Sequence, residues 1–431
     1  MKVSNANKVI SVLLSVAMCP MMVPSAAFAA DDDAASDASS PSEQTQPADQ
    51  AEGVDADASS NDTIAPQSEA TGEATDTPTG EAAAPAAAVA QVGETNYTKL
   101  EDAFAALSGS NRTLKLLDEN AWDAATPVYY KAGEVSGYAA KLTDALTAAY
   151  QANAGDITMV CRPGSDLGTM THGHVADNIT IYGNGAYVSG GECDLEVDTF
   201  QYSRDTGKQT KDAVTELAGK TITINAYDVN NLGVWGQRNT DATVNVNLTN
   251  CDGKALGATN VQRVYISGTS GVNNFTLTDC AFITAATAVY SNADGTVAIN
   301  NCSFTGSVVL VNFNHKATGA QTITVANSSF KNCGTTGEWA AFAAPARFVN
   351  SGTGTLNATI NGCSFADTVG VNGDILIGDG RTGQKSNEVT LTVTKTAANV
   401  QAQKPGYYGE GATVADASLK GEVKTTAAGR P

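Results

Sequence analysis

One phrase recurs through the second half of this 431-residue chain and limits what it can fold into: apolar-x-apolar-x-x-Cys-x-Phe. It reads Phe275, Leu277, Cys280, Phe282; then Val297, Ile299, Cys302, Phe304; then Ile323, Val325, Ser328, Phe330; then Ala358, Ile360, Cys363, Phe365. An earlier copy, Val246, Leu248, Cys251, lacks the final Phe. A spacing of two keeps side chains on one face of a strand, so the single spacing of three requires a bend that returns both halves to the same interior. Two residues after the second apolar position stand Asn250, Asp279, Asn301, Asn327 and Gly362. These residue types accept left-handed backbone angles at little cost. Each phrase therefore predicts a strand, a corner and a second strand around one core.

The Cys-position residues lie 29, 22, 26 and 35 apart, as expected for one turn of a coil with a loop of variable length. Between phrases comes a third strand signal: Gly233 to Trp235, Val264 to Ile266, Ala288 to Tyr290, Val311 to Phe313, Arg347 to Val349 and Ile375 to Ile377. A Gly-rich turn follows each. Short strands at a coil-like period, with no helices between them, predict an all-β fold, a β-solenoid of about six to seven coils in which each coil pairs only with its neighbours. With rungs ~4.8 Å apart, the rod would be roughly 30 Å long.

The open ends of such a coil expose core and unpaired strand backbone. Leu142, Leu146 and Ala149 recur at helical spacing before the strand Ile157 to Val160, and Thr98 with Glu101 reads as a capping box ahead of Ala103, Phe104 and Leu107. One or both helices are expected to plug the N-terminal end. At the other end, Glu388 to Val393 reads as a last strand.

The rest of the chain divides by composition. Residues 1–30 read as a signal peptide: Lys2 and Lys8, an apolar run, then Ala27-Phe28-Ala29. Residues 31–93 hold 14 acidic side chains, five prolines and no Lys, Arg or aromatic residue, which predicts a disordered acidic linker. Residues 94–155 form the helical cap region, 156–400 the coils and 401–431 a polar C-terminal tail. The formal charge of −20 sits mostly in the linker; residues 94–431 carry 31 acidic and 23 basic side chains. No basic surface is available to displace counterions, so nucleic acid is excluded as a partner. The mature chain has no run of 18 apolar residues, hence no predicted transmembrane segment, and a secreted or cell-envelope location is expected. A monomer is expected.

Signal, acidic linker, cap and coils with Asn-Cys-Ser-Phe-like corners together resemble the right-handed parallel β-helix of the pectate-lyase-like superfamily, as found in surface proteins of Gram-positive gut bacteria. The resemblance covers about residues 94–400. It implies a single-stranded parallel β-helix with an N-terminal capping helix. Because that fold hosts lyases, hydrolases, adhesins and stalks, the resemblance does not choose an activity.

Seven cysteines follow the signal, an odd number. Cys251, Cys280, Cys302 and Cys363, if stacked, would have parallel Cβ vectors that disfavour disulfides and would serve as small apolar core residues. Cys161 and Cys193 lie outside that ladder and leave a bridge open. His172 and His174 form a His-x-His pair near Cys161, Asp166 and Asp177, but two ligands without a spaced third read as a polar loop, so no metal site is assigned. Asn292 to Gly295 reads as a tight turn. So do Asp374, Gly378 and Asp379, since an odd separation of five sends the two carboxylates to opposite faces. Neither the base of a lyase nor the paired carboxylates of a hydrolase is found, so no catalytic residue and no cofactor are assigned.

One constellation rises above single residues. The third strand of each coil and the turn after it carry Trp235 and Arg238, Arg263 and Tyr265, Tyr290, His315 and Lys316, Arg347, then Asp379 and Arg381. Stacked in a solenoid, they would form one exposed aromatic and cationic band. Rings offer flat apolar faces to sugars, and guanidinium groups clamp carboxylates or hydroxyls. The expected function is a non-catalytic β-helix that binds glycan or host surface, or acts as a rigid spacer; the alternative is a polysaccharide lyase or glycoside hydrolase.

Overall fold

The strands alternate buried and open residues along their length, and that alternation sets the architecture. In Thr243–Thr249, Val244, Val246 and Leu248 are buried while the residues between them are not. The computed structural model describes residues from Ala86 to Ala427 apart from interruptions, the longest at 253–262, 334–343 and 403–411. The signal, linker residues 31–85 and Cys193 lie outside the described residues; the last residues of the expected disordered linker instead form the strand Ala90–Val92, which pairs antiparallel with Thr95–Tyr97 and Leu114–Leu116 and buries Ala90 and Val92.

Three parallel ladders share the chain. A long sheet of twelve strands contains Asp156–Cys161, Asn178–Tyr187, Thr221–Asn230, Thr243–Thr249, Val272–Thr278, Gly295–Asn300, Ala320–Ala326, Thr355–Asn361, Val389–Thr394 and Ala412–Ser418 in sequence order. Its other two strands, Val128–Ala132 and Val135–Ala139, add antiparallel at the N-terminal edge. A four-stranded sheet holds Ala281–Thr284, Ser303–Gly306, Ser329–Lys331 and Ser364–Ala366. A ten-stranded sheet takes up every one of the six third-strand signals and extends from His172–His174 to Thr426–Ala427. From Val272 to Ile377 the chain visits long, short and ten-stranded sheets in turn, one strand per visit, and elsewhere it passes between the two larger sheets, a topology compatible with a β-helix-like solenoid. The fold is all-β with long parallel sheets, as expected.

The long ladder has ten parallel strands, more than the six or seven coils expected. The Cys–Phe phrase counts only rungs that also place a strand in the short sheet. Asp156–Cys161, Asn178–Tyr187 and Thr221–Asn230 carry no such phrase, and the register runs on past residue 400 into the region expected to be a polar tail.

The corners form as the residue types require. Asn250, Asp279, Asn301, Asn327 and Gly362 all adopt φ between 51° and 64°, and Asn184, Asp228 and Lys395 do the same on other rungs. Beyond each corner the Phe side chains stack: Phe282 on Phe304 at 5.1 Å, Phe304 on Phe330 at 4.9 Å and Phe330 on Phe365 at 4.8 Å, with planes within 9° of parallel. The Cys position forms a column of its own. Cys251, Cys280 and Cys302 send their thiols towards backbone carbonyls of their own and neighbouring rungs at 3.3–3.6 Å. Where Ser328 and Thr396 replace Cys, the hydroxyl donates to Ala326 O at 2.8 Å or Thr394 O at 2.9 Å. It accepts from the backbone N–H of Cys302 or Cys363 one rung earlier.

Six described cysteines are free and buried, and Cys161 is among them. Burial pushes the Cys161 thiol up to about 12. Because an exposed thiol titrates near ~8.5, the folded chain keeps a proton above about pH 9 that the unfolded chain has lost. Stability should therefore fall as pH rises from about 9 towards about 12. Iodoacetamide labelling at pH 8, read by mass spectrometry, should leave these six thiols unmodified in the native chain and alkylate them in urea. Native labelling of Cys302 would contradict the column.

The two helices divide the work of covering the first coils. Helix α2, Leu142–Gln151, buries Leu142, Ala145, Leu146, Ala149 and Tyr150 in the same core as the strand interiors. Helix α1, Leu100–Ala106, belongs to a separate cluster on the outer side of the long sheet, where Phe104 and Leu107 meet Trp122, Tyr129, Val160 and Tyr182. So α2 caps the main core and α1 does not. The capping box is also absent: Lys99 is the N-cap, one residue later than expected, and no side chain caps the helix. Glu101, displaced to the second helical position, instead accepts a hydrogen bond from the Tyr138 hydroxyl at 2.9 Å.

Candidate functional site

The parallel register builds one outward column on the ten-stranded sheet. Successive rungs place His174, Glu196, Trp235, Tyr265, Tyr290, Asn312, Arg347 and Leu376 in line. Trp235, Tyr265, Tyr290 and Arg347 were expected in a common band and do align. Their environments differ. Trp235 and Tyr265 are half-buried, whereas Tyr290 is 5% and Arg347 4% exposed.

Tyr265 and Tyr290 stack with centroids 4.4 Å apart and planes 13° from parallel. The Arg347 Nη1–H donates to Asn312 Oδ1 at 3.0 Å. Beside the column, the Arg263 guanidinium sits 5.9 Å from the centre of the Trp235 ring. Its Nε and Nη2 both donate to Asp194 Oδ2, at 3.0 and 2.5 Å, and the Asp194 side chain is fully buried. The pair therefore fixes the guanidinium against the Trp235 face, an arrangement favoured by the ring quadrupole.

His315 departs from the band altogether. It ends the strand Val311–His315 and is fully buried. Its Nε2 lies 2.8 Å from Asp294 Oδ1 and its Nδ1 3.4 Å from Asn350 Oδ1. Asp294 also accepts from the Gly319 N–H at 3.1 Å, and Asn350 Nδ2 donates to Gly354 O at 3.0 Å. His315 thus ties three rungs together from within, which corrects its reading as a surface group. Lys316, next in the chain, is half-buried. The expected exposed band is thereby reduced to Trp235, Arg263, Tyr265 and Lys316; Tyr290, His315 and Arg347 are covered. Arg238, Asp379 and Arg381 lie outside the described residues.

Asp194, Glu196 and Asn312 were missed by the sequence reading, and Asp294, read there only as part of a tight turn, proves to be the partner of His315. Asp194 and Glu196 precede the first Cys–Phe phrase, and a signal for them existed: alternation in Asp194-Leu195-Glu196 matches that of Gly233-Val234-Trp235. Near the first coil, the His174 ring packs edge-on to Tyr150 at 5.1 Å, and the Cys161 thiol is free and buried. The His172 side chain lies outside the described residues. Among the described residues, no three His, Cys, Asp or Glu side chains lie close enough to hold a metal ion. No helix there is long and apolar enough to cross a membrane. Compared with known proteins, the chain matches no family model, no curated protein and no solved structure.

Proposed function

We propose that this chain is an exported, non-catalytic parallel β-helix of the right-handed, pectate-lyase-like kind, released or held at the cell envelope, that binds an extracellular glycan or host surface. The carrying observation is the open stretch within the column: Trp235 and Tyr265 side by side, with Arg263 held against the Trp235 ring. Flat rings beside an oriented guanidinium suit the apolar face and the hydroxyls of a sugar. Export rests on the signal-like residues 1–30. The non-catalytic reading is supported by the commitment of two carboxylates near the column to structural pairs, Asp194 with Arg263 and Asp294 with His315.

A glycan array probed with the full chain and with Trp235→Ala is the test. The substitution is expected to weaken the bound signals by about tenfold, the loss of ~1.4 kcal/mol of contact. Equal signals would remove Trp235 from the reading. Release of reducing ends or unsaturated products from pectin, alginate or glycosaminoglycan would sink the non-catalytic part.

A further inference from the structure

We infer that a second saccharide site lies on a different face, in the cleft between α1 and the outer side of the long sheet. The cleft measures about 500 Å³, inside the roughly 300–1,000 Å³ span of small-molecule sites. Phe104, Tyr129 and Tyr182, each less than a tenth exposed, supply its aromatic lining. Glu101 stands on the helix wall, and Lys131, Asp156 and Thr158 on the sheet wall. An aromatic lining among separated donors and acceptors is what a pyranose needs, for its ring C–H groups and its hydroxyls respectively.

The chemistry of the ligand follows from charge. Two carboxylates face the cleft against one ammonium, which disfavours uronic acids and sulfated sugars and favours a neutral saccharide. The surface beyond the cleft points the same way. From Thr158, the register continues outward through Thr180, Asn225, Asn247 and Thr276 to Ala298, without a charged residue. Neighbouring rungs link their amides along this face, as in Asn247 Nδ2 to Asn225 Oδ1 at 2.9 Å and Asn274 Nδ2 to Asn245 Oδ1 at 3.0 Å. A neutral chain anchored in the cleft can therefore lie along a flat, uncharged array of hydroxyls and amides. α1 is accordingly a wall of a binding site as well as a cover for Tyr129 and Tyr182. This inference shares only its ligand class with the proposed function, and the two sites have separate residues.

Calorimetric titration of the full chain with cello-, manno- and N-acetylchito-oligosaccharides, and with oligogalacturonate as the anionic arm, tests the cleft. At least one neutral series should bind. The titrations are run in the Trp235→Ala background, which removes the other glycan site, and there the double substitution Lys131→Ala, Thr158→Val should weaken neutral binding about tenfold through lost hydrogen bonds. Glu101→Gln, a surface change that keeps an acceptor for Tyr138, gives a second reading in the same direction should the double variant misfold. The cleft is overturned if no neutral series binds, if oligogalacturonate alone binds, or if neutral binding survives the cleft variants. It is equally overturned if neutral binding disappears with Trp235→Ala alone, a result that leaves the Trp235 site standing.

Discussion

Phe304→Ala is expected to lower stability by about 3–5 kcal/mol, the usual cost of truncating a buried Phe. Phe304 is fully buried between two rings, Phe282 at 5.1 Å and Phe330 at 4.9 Å. Removing it deletes two stacking contacts and opens a void that fixed strands on either side cannot close. Phe365 supplies the comparison. It is half-buried and stacks on Phe330 at 4.8 Å, so Phe365→Ala should cost clearly less. Urea titration of both variants, followed by far-UV circular dichroism, checks the order; equal midpoints would mean that the column carries no energetic weight.

Arg263→Ala should rank next, at about 3 kcal/mol. The Asp194 carboxylate is fully buried while the Arg263 side chain is 23% exposed. Removing the guanidinium strands a carboxylate in the interior, and breaking a buried pair costs ~3–5 kcal/mol; the open edge of Arg263 puts this pair at the lower end. Adding Asp194→Asn to Arg263→Ala removes the stranded charge and should recover part of the loss. A double variant as unstable as the sum of the single ones would mean the pair is not coupled. Because Arg263 also lies against Trp235, stability and glycan binding have to be measured separately in this variant.

The interior was largely legible from the sequence and the outer faces were not, for a physical reason. The positions of Phe282, Phe304, Phe330 and Phe365 obey a period, and stacking needs nothing more than that period to bring them together. The corner residues were legible because left-handed backbone restricts residue choice locally. Exposure follows no such rule. Tyr265 and Tyr290 occupy the same column, yet one is half-buried and the other covered, a difference that the shared spacing does not encode. His315 sits in Asn314-His315-Lys316, a string that reads as a turn, but its burial is secured by Asp294 and Asn350, which are 21 and 35 residues away. The same limit hid the cleft beside α1. Tyr129 and Tyr182 belong to strands separated by a helix, and nothing in their spacing announces that Phe104 arrives above them.

The interchange of Cys, Ser and Thr within one column has a consequence for how such a chain can change length. Each of these side chains meets backbone carbonyls that its own and the neighbouring layers offer in the same place, and the hydroxyls accept a backbone N–H as well. A whole layer duplicated or excised would meet the same docking plane above and below, provided its corner and its Phe came with it. The molecule can thus be extended or shortened in quanta of one layer, roughly 4.8 Å each, while the chemistry on its flanks is rewritten independently.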